Sequence, residues 1–172
     1  HYGVAMAGAV LNTLNTRLDT DTIAYILEHA DTRLLITDAA FGEAMKAALA
    51  QTENKKIKII DIVDKQAAES VSGLRLGDQD YEHFLADADP EFNWQMPTDE
   101  WQAMCLNYTS GTSGRPKGVV YHHRGAYLMA MGTIPVWNMP MHPTYLYVVP
   151  LFHCNGWGHA WMMAIVAGTI VC

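Results

Sequence analysis

Between Asp19 and Val63 the sequence reads as helix, strand, helix, strand, and this alternation constrains the fold more than any other feature. "DTDTIAYILEHA" opens with Asp19 to Thr22 as capping and first-turn residues, then sets Ile23, Ile26, Leu27 and Ala30 at i, i+3, i+4 and i+7. That spacing lines one face of a helix. "RLLITD" is a short apolar run suited to a buried strand, "AAFGEAMKAALAQ" returns to helix, and "KIKIIDIV" returns to strand. Further on, "WQAMCLNYT", "GVVYHH", "TYLYVVP" and "TIVC" read as strands, with "RGAYLMAMGT" and "NGWGHAWMMAIVAG" as helices. The opening "HYGVAMAGAVLNTL" reads as an Ala-rich helix in which Gly3 and Gly8 permit close packing. Such alternation predicts an α/β architecture with a largely parallel sheet.

The organisation expected along the chain is an α/β part over 1–63, a connecting region over 64–100 and a further α/β part over 101–172. The middle region is more polar and less periodic, with "SGLRLGDQD" and "DADPEFNWQMPTDE" supplying turn signals around one short helix, "DYEHFLADA". The chain begins at His1 without a signal-peptide pattern and stops at Cys172 inside a run that reads as a core strand. An interior piece of a longer protein is therefore expected.

Charge and cysteine usage narrow the partners. Lys and Arg number 11 against 18 Asp and Glu, a formal charge of −7, which disfavours non-specific nucleic-acid binding. The three cysteines, Cys105, Cys154 and Cys172, form no C-x-x-C pair, so reduced thiols in a cytoplasmic protein are expected rather than a disulfide framework. The most apolar stretch, "WMMAIVAGTIVC", is too short to span a bilayer.

One loop stands apart. "LNYTSGTSGRPKGVVYHH", from Leu106 to His123, places hydroxyls, glycines and Lys117 between two strand-like runs. A flexible linker would not interrupt a core so abruptly, and a plain hairpin turn needs only two to five residues. A polyphosphate cradle fits better. Gly111, Gly114 and Gly118 let backbone N–H groups turn inward, Thr109, Ser110, Thr112 and Ser113 add hydroxyl donors, and Lys117 adds a point charge. It is not the P-loop of ordinary NTPases, which needs Gly before the Lys and Ser or Thr after it; here Pro116 and Gly118 hold those places. Pro116 also turns Arg115 away from α geometry, so the cradle is expected between two strands, not at a helix N-terminus.

"YTSGTSGRPKGV" resembles the signature loop of the adenylate-forming superfamily, which holds acyl-CoA synthetases, luciferase and peptide-synthetase adenylation domains. "VVPLFHCNGW", from Val148 to Trp157, resembles the family's next motif, and "GAVLNTLNTRLDTDTIAYILEHADTRLLITD" is similar to the stretch preceding both in ligases of fatty and related small carboxylic acids. The resemblance implies a large N-terminal domain, of which this chain would be an interior part, and a mobile C-terminal domain outside it. It implies ATP with Mg²⁺, a carboxylic acid and coenzyme A as partners, the metal being held chiefly through phosphate and water. Thr109, Ser110, Gly111, Thr112, Ser113, Gly114 and Lys117 would then hold the β- and γ-phosphates against the charge that develops when a carboxylate attacks the α-phosphate.

His153 has a structural reading and a functional one. A His near an apolar strand is commonly structural. A nucleophilic pair with Cys154 is disfavoured because sequence neighbours are expected to point apart, and a zinc site from His153, Cys154 and His159 lacks a fourth ligand at standard spacing. The resemblance places His153 beside the acyl carboxylate as the catalytic residue of this stretch. Asn155, Gly156 and Trp157 would then open the next helix along the acyl pocket, although Trp at helical spacing is more often core. His122 and His123 read as strand-end residues without a role.

Two rival functions stand beside the acyl-CoA ligase: an adenylation domain that loads a carrier protein, and a non-catalytic nucleotide-binding module. The isolated chain is expected to be inactive and to self-associate through apolar faces that more polypeptide would cover.

Overall fold

The structure, a computed structural model, describes residues 1–109 and 114–172, and of Asn155 the backbone alone. The described residues divide into two compact units.

Thr16–Phe92 forms most of one unit, joined by the stretch through Pro116. Helix α2 (Thr20–His29) starts where Asp19 accepts a hydrogen bond from Thr22 N at 2.8 Å, and it buries Ile23, Ala24, Ile26 and Leu27. Ala30, the last member of the expected stripe, is its C-cap. Strands β1 (Leu34–Asp38), β2 (Lys58–Ile62) and the two-residue β3 (Gln79–Asp80) form a parallel sheet in the order β1-β2-β3, with Leu34 opposite Lys58. A 3₁₀ turn (Ala39–Phe41) leads into α3 (Gly42–Gln51), which packs on α2.

The polar stretch after β2 holds more structure than its composition predicts: a short helix α4 (Ala68–Val71) and β3, as well as the expected α5 (Tyr81–Ala86). What orders it is a buried carboxylate. Asp61, 1% exposed, accepts from Leu76 N at 3.0 Å and from Gly77 N at 2.8 Å. The loop approaches β2 so closely that a Cβ at Gly77 would collide with the Ile59 carbonyl. Asp61→Ala strands both N–H groups and is expected to lower stability by about 2 kcal/mol in urea unfolding, with Asp61→Asn losing less because it keeps an acceptor.

The other unit comprises His1–Asn15, Asn93–Gly111 and Lys117–Cys172. Its first helix, α1 (Tyr2–Met6), is shorter than the sequence predicts. Gly8 leaves helical geometry at φ 69°, and Leu11 then bridges in parallel to Cys105, donating to Met104 O at 3.0 Å and accepting from Leu106 N at 2.8 Å. Sheet pairing takes the backbone groups that a longer helix would have used. Strands β4 (Ala103–Tyr108) and β5 (Gly118–His122) form an antiparallel pair, whereas β6 (Thr144–Leu146) and β7 (Thr169–Val171) are parallel. The α/β expectation with largely parallel pairing holds, and the β4–β5 hairpin is its antiparallel exception.

Helix α6 (His123–Val136) runs past the predicted end and contains Pro135. So near the C-terminus this proline interrupts only the last turn. The segment predicted as one helix after His153 is two, α7 (Cys154–Trp157) and α8 (His159–Ile165), meeting at Gly158, where a Cβ would strike Met129 of α6. Ala130, Met162, Met163 and Val166 form the core between α6 and α8. The predicted burial of "TIVC" is corrected: Thr169 and Val171 are exposed on a two-stranded sheet, and only Ile170 turns toward the core.

Candidate nucleotide and acyl site

The β4–β5 hairpin carries the Gly/Ser/Thr loop at its tip. Register pairs Leu106 with Val120, Asn107 with Val119 and Tyr108 with Gly118, and Thr109 N then donates to Lys117 O at 3.0 Å. Thr109 and Lys117 thus face each other across the mouth of the loop, both exposed. Ser110, Gly111, Thr112 and Ser113 lie outside the described residues. Gly114 sits at φ 130° with open space around it, so glycine is required there by backbone conformation, not by crowding.

The following residues belong to the unit of α2. The Arg115 guanidinium stands 5.1 Å from the Tyr25 ring centroid, and Gly114, Arg115 and Pro116 line a groove of about 770 Å³ with Tyr25, Glu28 and Asp21. Two carboxylates in that wall make the groove itself a poor seat for a polyphosphate. Neither the Tyr25 contact nor the groove was legible beforehand, because α2 and the loop are nearly a hundred residues apart.

Beneath the hairpin lies a small buried network. Asn107 Oδ1 accepts from Thr13 Oγ1 at 3.1 Å and from Cys105 Sγ at 3.0 Å. Burial pushes the Cys105 thiol up to about 12. Alkylation of the native protein is expected to spare Cys105 while exposed Cys154 reacts; mass spectrometry after iodoacetamide treatment checks this, and Cys105 should be labelled only on unfolding.

The same hairpin seats the His153 turn. Trp157, 1% exposed, packs with Met104, Cys105 and Ala126, and its ring centroid lies 5.0 Å from that of Tyr121 on β5. The Trp157 indole is therefore core packing that anchors α7, and Gly156 beside it is buried as well. His153 N donates to Pro150 O at 2.9 Å, and His153 O accepts from Gly156 N at 3.0 Å and Trp157 N at 2.9 Å. The imidazole itself is exposed. Of Asn155 only the helical backbone is described.

His153 and Cys154 do not point apart as expected. The start of a one-turn helix brings Sγ and Nδ1 to 3.9 Å, still beyond the 2.6–3.2 Å reach of a nucleophile–base pair. His159 turns away from both and meets Tyr145 Oη through Nδ1 at 2.7 Å, with burial lowering its pKa. Among the described residues no three His, Cys, Asp or Glu side chains converge on a metal position. His122 has a role the sequence did not suggest: its Nδ1 accepts from Gly125 N at 2.9 Å and caps α6.

Over residues 1–172 the sequence matches the family described as AMP-binding enzyme. The chain belongs to the AMP-binding enzyme family. It is 43% identical over its whole length to the acetate/butyrate–CoA ligase AAE7, peroxisomal, of Arabidopsis thaliana, and 42% identical to the acetate–CoA ligase CCL3 of Humulus lupulus. Trans-cinnamate:CoA ligase, peroxisomal, of Petunia hybrida is also 42% identical. The chain spans about a third of these relatives, covering 32% of each. Among solved structures it is similar in fold to a benzoate CoA ligase from Burkholderia xenovorans LB400, with a TM-score of 0.77 at 21% identity over 98% of this chain and 30% of that one. ATP-bound MatB from Rhodopseudomonas palustris gives 0.76 at 18% identity, over 98% of this chain and 31% of that one. This confirms the family expected from the two motifs and the N-terminal-domain architecture that goes with it. No described helix of this family member is long and apolar enough to cross a membrane.

Proposed function

We propose that the full-length protein is an AMP-forming acid–thiol ligase, which activates a small carboxylic acid as its acyl-adenylate and passes the acyl group to coenzyme A. The observation that carries this reading is the hairpin that opposes Thr109 to Lys117 while its inner face seats the His153 turn through Trp157. ATP would be held by Thr109, Ser110, Gly111, Thr112, Ser113, Gly114 and Lys117. The fit rests on exposed donor groups at the loop mouth and on the backbone conformation of Gly114. Mg²⁺ would arrive with the nucleotide, held chiefly by phosphate and water. Bound there, it would supply charge neutralisation at the phosphates.

His153 would orient the acyl carboxylate, with Asn155, Gly156 and the anchored Trp157 forming the turn behind it. Relatives named for acetate, butyrate, 2-methylpropanoate and trans-cinnamate support a small carboxylic acid, aliphatic or aromatic. In this reading 1–63, 64–100 and 101–172 are parts of one large N-terminal domain, with the C-terminal domain outside the chain. The isolated chain, with Leu146, Val148 and Trp137 exposed, would self-associate. Its scattered thiols favour a reducing compartment, the cytoplasm by the sequence reading. Fluorescence of the tagged full-length protein on peroxisomes, the compartment in two relatives' names, would overturn that assignment.

Pyrophosphate release tests the function. Acid-dependent release from ATP is expected, with acyl-CoA appearing only when coenzyme A is added. Release followed by loading of a carrier protein in place of coenzyme A would make the protein an adenylation domain. No release with any acid would leave a nucleotide-binding module.

A further inference from the structure

Helix α7 has only four residues, too few to be stable by its own hydrogen bonds. Something outside it must hold the turn from which His153 projects. Trp157 secures one side. On the other side stands Tyr147, just beyond β6, its N–H donating to Val171 O at 2.7 Å. Its half-buried side chain crosses to α7, where the hydroxyl donates to the Gly156 carbonyl. That carbonyl belongs to the end of the helix, where no intrahelical donor remains to satisfy it.

The packing around this bond is tight. A Cβ on Gly156 would lie 3.0 Å from Val149 Cβ and 3.4 Å from Tyr147 Cε1, so the tyrosine ring and Val149 already fill the space beneath the turn. Gly156 N in turn donates to His153 O at 3.0 Å. From the Tyr147 hydroxyl to the His153 backbone the path is two hydrogen bonds long and passes through one residue. We propose that Tyr147 is a positioning residue, which fixes through Gly156 the turn that presents the His153 imidazole. The inference rests on His153 acting on the acyl carboxylate, as proposed above.

Two observations favour the hydroxyl as the active part. Burial, and next the neighbouring Tyr145, push the phenol up to about 12, so it remains a donor throughout the working pH range. The His153 backbone is held at both its groups, its N–H by Pro150 O and its carbonyl by Gly156 N, so the direction of the imidazole depends on how firmly that turn is set. Misplacement of a reacting group by a fraction of an ångström is costly when catalysis consists of positioning.

Tyr147→Phe in the full-length protein keeps the ring and removes only the donor. Acid-dependent pyrophosphate release should fall roughly tenfold in kcat, with KM for ATP within about twofold of wild type and the unfolding midpoint nearly unchanged. The decisive measurement is the same substitution in a His153→Ala background, where it should change kcat by less than about twofold. A tenfold loss in both backgrounds, or none in the single variant, overturns the inference. Should Tyr147→Phe fail to fold, Gly156→Ala, which crowds Tyr147 and Val149 from the other side, must show the same dependence on His153 or the inference fails. Wild-type kinetics for His153→Ala alone would overturn the role of His153 and this inference with it. A wild-type enzyme that releases no pyrophosphate would overturn the ligase activity itself.

Discussion

Lys117→Ala in the full-length protein is expected to lower ATP-dependent turnover about tenfold to a hundredfold. The argument begins with the hairpin. Backbone pairing from Leu106–Val120 to Thr109–Lys117 sets the position of Lys117 before any ligand arrives, and the bond to Thr109 uses the Lys117 carbonyl, not its side chain. Truncation therefore leaves the hairpin intact and removes only an exposed ammonium at the loop mouth. The neighbouring cation, Arg115, is engaged over the Tyr25 ring and cannot replace it without giving up that contact. A charge-assisted hydrogen bond of this kind is worth roughly 1.5–3 kcal/mol, which is the stated range in rate. Lys117→Arg should recover only part of the loss, since a planar fork does not fit a site built for a compact point charge. Steady-state kinetics with ATP as the varied substrate measure this, and unchanged values would remove the loop from the nucleotide site.

The parts of the fold legible in the sequence were those fixed by local physics. Asp19 caps α2 because its carboxylate stands one residue ahead of Thr20, the first helical residue, and β1 and β2 follow from short apolar runs between helices. The loop stood out through the glycines, hydroxyls and lysine expected of an anion cradle. Failures came where a distant partner decided the outcome. The opening segment has helical composition, yet Leu11 pairs with Cys105, ninety-four residues away, and the sheet wins. His122 looked like a strand end because its acceptor role depends on the direction the chain takes at Gly125. Around the site, the motif identified His153, but nothing local linked it to Tyr147. The two tyrosines at period 2 in "TYLYVVP" were the available signal, because a Tyr half-buried in a strand must find a partner for its hydroxyl.

His153→Ala is expected to slow acyl-adenylate formation roughly a hundredfold while KM for ATP stays within about twofold of wild type. The separation follows from where each group sits. Lys117 and the loop are at the tip of the β4–β5 hairpin, whereas His153 stands on a turn anchored to the hairpin's packed face through Trp157 and held in front by the bond from His153 N to Pro150 O. That backbone arrangement does not involve the imidazole, so removing the side chain should leave α7 seated and the nucleotide loop untouched. What would be lost, in the proposed role, is the group that sets the carboxylate for attack on the α-phosphate. His153→Gln, which retains a hydrogen-bond donor of similar reach, should recover part of the rate, and Cys154 should not substitute, since its thiol is a weak donor. Pyrophosphate release with the acid varied reads the first half-reaction, and thioester formation from preformed acyl-adenylate reads the second. A variant that loses ATP affinity yet handles the acyl-adenylate normally would place His153 with the nucleotide instead of the acid.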